Sequence, residues 1–80
     1  MAKRDHRQRQ AQLAAILKTA RRKAGLTQTK LARKLGRPQS FVAKYEGSER
    51  KIDVVDLLAI CEAIEISWKS VLEDYEENLS

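Results

Sequence analysis

Three polar side chains in one short segment have the chemistry needed to read the edges of nucleic acid bases. Gln39 carries an amide that can donate and accept together, as bidentate contact with adenine N6 and N7 requires. Lys44 could reach guanine O6 and N7 or a phosphate, and Ser40 could bond a base or the backbone. Phe41 is ambiguous, because its ring could cover the edge of a core or contact a thymine methyl group. Base reading by these side chains, with the short Ala43 beside them, requires a helix with an exposed polar face.

Two short helices with a tight break between them are predicted for residues 27–46. Thr27 can cap the first helix through its hydroxyl, and Gly36 can end it in the left-handed conformation. Pro38 restricts the preceding residue to extended geometry, so the chain turns before a second helix that includes Tyr45. A helix, a turn containing Gly and a helix with a polar outer face place the second helix in a DNA major groove.

The segment from Arg21 to about Leu72 resembles the lambda-repressor-like helix-turn-helix domains, also called the Cro/CI or XRE family. The matching residues are Gly25-Leu26-Thr27-Gln28, Leu31-Ala32, Leu35-Gly36, Gln39-Ser40, Val42, Glu46, Asp53 to Leu58 and Val71-Leu72. The resemblance implies an all-α, compact five-helix domain with the helix-turn-helix at helices 2 and 3. It also implies double-stranded DNA as the partner, bound by a homodimer at an operator-like palindrome.

The resemblance assigns roles to residues around this recognition helix. Arg21 and Glu46 are expected to form an ion pair that locks the first helix to the recognition helix. Gln28 is expected to bind a phosphate and to brace Gln39, at a helix N-terminus whose dipole favours anions. The full predicted DNA-binding set is Gln28, Arg37, Gln39, Ser40, Phe41, Ala43, Lys44, Arg50 and Lys51.

Two positions depart from the family pattern. Pro38 stands where the family usually has a Ser or Thr N-cap, which leaves the first residue of the recognition helix open. The glycine of the following loop, Gly47, comes one position earlier than usual, so the loop at Gly47-Ser48 is expected to rearrange.

Charge is divided unevenly along the 80 residues. Residues 1–51 hold fifteen Lys and Arg against three acidic residues, a net charge of +12, whereas residues 52–80 hold one Lys against eight acids, −7. Such a split indicates a polyanion partner for the basic part. Solvated lysine-rich helix faces are the alternative, and the helix pair makes them the weaker explanation.

The predicted organisation has three parts. Residues 1–10 are a basic N-terminal arm or a frayed helix start, residues 11–74 form the domain, and residues 75–80 form an acidic tail. The first helix is expected from about Gln8 to Ala24, and Asp53 and Ser67 are expected to cap the fourth and fifth helices. The predicted core side of the fourth helix comprises Val54, Leu57, Leu58, Cys61 and Ile64.

Four residues of the fifth helix are candidates for a dimer interface. They are Trp68, Val71, Leu72 and Tyr75. Trp68 could instead fill the core against the first helix, and the sequence leaves both readings open. Two copies on half-sites one helical turn apart would raise affinity and specificity together.

Catalytic, metal and cofactor sites are not expected. His6 and Cys61 are the only His and Cys, and no cluster has the spacing of a metal site. No apolar run approaches ~18 residues, so no membrane span is expected, and a cytoplasmic location is compatible with the lone Cys. No small-molecule ligand is evident. The resemblance implies a sequence-specific double-stranded-DNA-binding transcriptional regulator of the repressor type. The rival function is a protein-interaction module, such as an antitoxin or phage accessory protein. A restriction–modification controller protein is a variant of the regulator.

Overall fold

Five helices make up the computed structural model, which describes residues 5–77, and that range contains no strand. They are α1 (His6–Lys23), α2 (Gln28–Leu35), α3 (Gln39–Glu46), α4 (Val54–Ile64) and α5 (Trp68–Glu77). Helix α3 packs on α1 and α2, α2 also packs on α4, and α5 packs on both α1 and α4. The predicted all-α, five-helix architecture is confirmed.

Helix α1 begins at His6 because Asp5 and Gln8 form a capping box. The Gln8 amide donates to Asp5 Oδ1 at 2.8 Å, and the Asp5 amide donates to Gln8 Oε1 at 3.0 Å. Residues 6–10 are therefore helical, and α1 begins two residues before the predicted start at Gln8. Residues 1–4 of the predicted arm lie outside the described range.

The turn between α2 and α3 follows the expected geometry. Thr27 Oγ1 accepts from the Lys30 amide at 3.1 Å, and Gly36 ends α2 at a φ of 68°. Pro38 is the N-cap of α3, in extended conformation and without a side-chain hydrogen bond. Its fixed φ of −65° suits a helix start, so α3 begins directly at Gln39 despite the missing cap.

The core lies between α1 and the remaining four helices. Its six largest fully buried side chains are Leu17, Leu31, Val42, Tyr45, Ile60 and Val71. Cys61 is buried among them as a free thiol, and burial raises its pKa. It acts as a small apolar core residue, as expected.

The predicted core face of α4 is partly wrong. Leu57, Cys61 and Ile64 are buried as expected, but Val54 and Leu58 are exposed. Val54 is the first residue of the helix and lies beyond the packed part of α4, whereas Leu58 follows Leu57 around the helix by about 100°. Ile60 takes the core position that had been assigned to Leu58.

Two residues other than glycine adopt the left-handed conformation at helix ends. Ser48 has a φ of 63°, whereas Gly47 has a φ of −85°. The glycine comes one position before the left-handed residue of this loop, so Ser48 adopts the left-handed conformation instead. A Cβ on Gly47 would meet the Ala43 carbonyl oxygen at 3.1 Å. A side chain at this position would therefore be crowded, although the backbone conformation itself does not require glycine. Glu65 ends α4 at a φ of 65°, a position usually held by glycine.

The C-terminal boundary of the domain is later than predicted. Helix α5 runs to Glu77, so residues 75–77 of the predicted acidic tail are helical. Ser67 Oγ accepts from the Lys69 amide at 3.1 Å at the start of this helix, as its predicted role as a cap requires. Residues 78–80 lie outside the described range.

Candidate nucleic-acid interface

Helix α3 presents the predicted reading residues on its outer face. Gln39, Ser40 and Lys44 are exposed, and Ala43 is half-buried between them. Val42 and Tyr45 point the other way and are fully buried. This alternation leaves a strip of small and polar side chains facing solvent, as major-groove contact requires.

A chain of hydrogen bonds connects the ion pair of Arg21 and Glu46 to the side chain of Gln39. Arg21 donates from Nε to Glu46 Oε2 at 2.7 Å and from Nη2 to Oε1 at 3.1 Å. Gln28 Nε2 donates to the same Glu46 Oε1 at 3.0 Å, and Gln39 Nε2 donates to Gln28 Oε1 at 2.8 Å. The expected ion pair and the expected bracing of Gln39 are thus both present and belong to one network.

This network fixes which groups of Gln39 are available. One N–H of its amide is used by Gln28. The second N–H and Oε1 have no hydrogen-bond partner among residues 5–77, and together they form the donor–acceptor pair that adenine matches. The side chain is therefore held in one orientation, with one donor and one acceptor left unused.

The ion pair at the base of the network is buried. The side chains of Arg21 and Glu46 are only 9% and 3% exposed. A third guanidinium contact, from Arg21 Nη1 to the Leu26 carbonyl oxygen at 2.6 Å, ties the pair to the α1–α2 connection. The bidentate geometry and this extra acceptor offset the free-energy cost of removing the Arg21 guanidinium from water.

Phe41 belongs to the core edge rather than to the reading face. It is 8% exposed and packs edge-on against Tyr45 with the ring centroids 5.5 Å apart. Of its two predicted roles, this position favours cover of the core edge over contact with a thymine methyl group, because only a small part of the residue reaches solvent.

Two arginines that flank α3 converge on this ring. The guanidinium carbon of Arg37 lies 4.2 Å from the Phe41 centroid and that of Arg50 lies 4.9 Å away. Arg37 also makes a loose ion pair with Asp56 on α4, at 3.6 Å between Nη2 and Oδ1. Sequence reasoning missed this cluster, because Arg50 follows Phe41 by nine positions and only the loop brings it back. Lys51, next along that loop, is exposed.

A buried hydroxyl lies under the recognition helix. Tyr45 Oη is buried and has no hydrogen-bond partner among the described residues. Burial raises the pKa of the Tyr45 phenol well above its ordinary value of 10.0; the adjacent Glu46 carboxylate adds to the rise and Arg21 opposes it. The phenol thus stays neutral in the folded protein at any ordinary pH.

The candidate dimer residues of α5 differ in burial. Trp68 and Leu72 are each 44% exposed, so a large part of both residues lies outside the core of the single chain. Val71 is fully buried in the core of the single chain, which corrects its place among the interface candidates. Tyr75 is half-buried, and its backbone carbonyl accepts from Gln12 Nε2 at 3.1 Å.

Within residues 5–77, no group of three or more His, Cys, Asp or Glu side chains is arranged to hold a metal ion. None of the five helices has the length and apolar character that crossing a membrane would need, over that same range.

Comparison with known proteins identifies the fold and the family. The family described as "Helix-turn-helix domain" matches residues 12–67. An XRE-family like protein from Pseudomonas syringae pv. tomato is 40% identical over 94% of this chain and 92% of that chain, with a TM-score of 0.85. A search of curated proteins found no match.

Two further solved structures share the architecture. The clp gene regulator ClgR from Corynebacterium glutamicum is 21% identical, over 90% of this chain and 94% of that chain, with a TM-score of 0.82. The restriction–modification controller protein C.AhdI from Aeromonas hydrophila is 26% identical, over 76% of this chain and 92% of that chain, with a TM-score of 0.71. We conclude that the chain belongs to the helix-turn-helix family and is a DNA-binding transcriptional regulator of the XRE type.

Proposed function

We propose that the protein regulates transcription by occupying a specific operator, with α3 inserted in the major groove. The observation that carries this proposal is the orientation of Gln39, whose free N–H and Oε1 lie on the exposed face of α3. Lys44 and Ser40 extend the readout along the same face. Each good base contact of this kind contributes about 1–3 kcal/mol of discrimination against a wrong base.

Contacts to the DNA backbone set the register of that helix. The proposed set is Gln28, Arg37, Arg50 and Lys51. Gln28 stands at the start of α2, where unpaired amides and the helix dipole favour an anion. A phosphate oxygen can only accept, and Gln28 Nε2 already donates one N–H to Glu46, so its second side-chain N–H is the donor left for the phosphate.

The salt dependence of binding tests the polyanion part of the proposal. Affinity for duplex DNA is expected to fall linearly on a log–log plot against salt, with a slope of about 0.9 per phosphate contact. Gln28 carries no charge, so the three cations Arg37, Arg50 and Lys51 predict a slope of magnitude about 2.7 for each bound protomer. A flat plot would refute DNA binding by this surface.

Selection of bound sites from random duplexes tests the readout. Gln39→Ala is expected to weaken binding to the selected site about 5- to 150-fold and to relax the preference at one base position. Gln12→Ala is the matched control, because Gln12 lies on α1 and contacts α5 instead of facing the groove. Equal losses from both substitutions would refute base reading by Gln39.

We infer further that the active form is a homodimer on a palindrome, paired through α5. Trp68 and Leu72 are the exposed large apolar residues of this helix, and α4 adds Val54, Val55 and Leu58. Unpartnered apolar side chains of this size on two adjacent helices favour association. A two-fold pair would place two α3 helices on half-sites about 34–36 Å apart.

Sizing of the protein alone and on its selected site tests the dimer. Leu72→Glu is expected to yield a monomer and to weaken DNA binding, while Glu73→Gln, at the next exposed position, keeps the dimer. A wild-type protein that binds one half-site as a monomer would refute pairing through α5.

A restriction–modification controller is a second candidate role. The similarity to C.AhdI over 92% of that chain favours it. The discriminating result is the location of the selected operator: a controller's sites lie upstream of restriction or methyltransferase genes. In either role the chain acts by binding and not by catalysis, and DNA as the partner points to the cytoplasm.

A further inference from the structure

Arg37 and Arg50 reach the same place from opposite ends of the recognition helix. Arg37 precedes Pro38, the N-cap of α3, and Arg50 follows the C-cap, Gly47, by three residues. Both guanidinium groups nevertheless lie over the ring of Phe41, at 4.2 Å and 4.9 Å from its centroid to the guanidinium carbons. Two like charges are thus gathered on one aromatic residue.

The ring itself is held firmly. Phe41 is nearly buried and meets Tyr45 at an interplanar angle of 66°, in the edge-to-face arrangement that aromatic pairs prefer. Tyr45 is fully buried in the core. A ring anchored in this way offers a fixed negative face to cations, since the quadrupole of the ring attracts them.

Only one of the two arginines has an anionic partner. Arg37 lies 3.6 Å from Asp56, and the Arg37 side chain is still 43% exposed. For Arg50, no ion pair within residues 5–77 accompanies the ring contact. Two guanidinium groups share one ring, and the only carboxylate partner in the described part of the chain, Asp56, belongs to Arg37, so an uncompensated positive charge remains, as an anion site requires.

We propose that Phe41 is a positioning residue, which holds Arg37 and Arg50 as a paired clamp for the phosphate groups of the DNA backbone beside α3. This proposal rests on the proposed function and adds to it how the backbone contacts are set. The ring touches the arginines and not the DNA. Its contribution is to restrict two long, flexible side chains to one orientation before DNA arrives, so that less conformational entropy is lost on binding.

The sequence offers an unusually clean test, because Phe41 is the only phenylalanine in the chain. Growth with fluorinated phenylalanines replaces this ring alone, and successive fluorines weaken and then reverse the quadrupole while the ring stays apolar. Affinity for the selected operator is expected to fall in the order of one, three and five fluorines. The loss reaches about 5-fold or more for the pentafluoro ring. Urea unfolding of each protein reports whether the domain remains folded.

A positioning role makes two further predictions that a purely structural role does not. The loss is the same for the operator and for a scrambled duplex, because phosphate contacts carry no sequence information. The loss also disappears in the Arg37→Gln/Arg50→Gln background, where the ring has no guanidinium to hold. Each Arg→Gln substitution lowers the slope of the salt plot by about 0.9.

Two substitutions of Phe41 by ordinary amino acids provide a second test, which does not depend on how the core tolerates fluorine. Phe41→Tyr keeps an electron-rich ring and is expected to bind the scrambled duplex as the wild type does, whereas Phe41→Leu keeps the bulk and is expected to bind it more weakly. An equal loss with and without the two arginines would overturn the proposal, because the ring would then act on DNA or on α3 directly. Unchanged affinity across the fluorine series would overturn it as well.

Failure of the proposed function gives a different result. In that case the wild-type protein itself binds neither the operator nor the scrambled duplex at low salt. Failure of the clamp alone leaves wild-type binding intact and removes only its dependence on the ring.

Discussion

Breaking the Arg21–Glu46 pair is expected to remove a large part of the stability of this domain. Glu46→Gln keeps the shape of the side chain but leaves the Arg21 guanidinium buried without an opposing charge. Removing one partner of a buried pair costs about 3–5 kcal/mol. The side-chain exposures of 9% and 3% place this pair in that class. At about 0.05–0.15 kcal/mol per residue, a chain of this length holds about 4–12 kcal/mol in total.

A double-mutant cycle separates this interaction from general disruption. The cycle consists of Arg21→Met, Glu46→Gln and the double substitution, each measured by urea unfolding followed by far-ultraviolet circular dichroism. The double variant is expected to be less destabilised than the sum of the two single ones, by at least about 2 kcal/mol, because it strands no charge. The m-value should stay constant if only stability changes.

The second ion pair of the domain is the matched control. Arg37 and Asp56 are 3.6 Å apart, and Arg37 is 43% exposed, so water screens their attraction. A cycle with Arg37→Met and Asp56→Asn is expected to give a coupling of about 0–1 kcal/mol. A coupling for Arg21–Glu46 no larger than this value would refute the reasoning from burial.

Three other substitutions and one pH series test the described geometry. Tyr45→Phe is expected to leave the stability unchanged or raise it by about 1 kcal/mol in thermal unfolding, because the lost hydroxyl has no hydrogen-bond partner among residues 5–77. Above pH 10.0 the unfolded phenol ionises while the folded one does not, so stability falls as pH rises, and Tyr45→Phe should lose up to about 1.4 kcal/mol less per pH unit. Glu65→Gly should raise the free energy of unfolding, measured in urea, by up to about 1 kcal/mol, since it relieves a left-handed residue. Asp53→Ala should lower the free energy of unfolding by about 0.5–2 kcal/mol, since the Asp53 carboxylate accepts from the Asp56 amide at 2.7 Å.

Local signals made much of this structure predictable. Thr27 and Gly36 define the ends of α2 by backbone chemistry that acts within a few residues, and both positions occur as expected. The pairing of Arg21 with Glu46 spans 25 positions, and it came from family resemblance because no local signal specifies it. The capping box of Asp5 and Gln8 could have been read from spacing alone, and it would have moved the start of α1 to His6.

The errors arose where tertiary packing decides. Helical periodicity shows which residues share a face of α4, but it does not show where along the helix that face lacks a neighbouring helix. It therefore predicts the apolar Val54 in the core, although Val54 is exposed. Likewise, the ring of Phe41 turns inward because Tyr45 receives its edge, a contact that depends on how α3 sits in the fold. The cation cluster on that ring depends in turn on the path of the loop after Gly47.

The exposed position of Trp68 decides what an optical experiment on this protein reports. It is the only tryptophan, it is 44% exposed, and the Lys69 ammonium lies 5.7 Å from its ring. In a single chain its indole is already partly exposed to water, so unfolding of a monomer should shift the emission wavelength less than unfolding of a protein with a buried tryptophan. Conversely, anything that covers α5 should shift that emission to the blue. Trp68 fluorescence is therefore better suited to detecting binding at α5 than to following unfolding of the single chain.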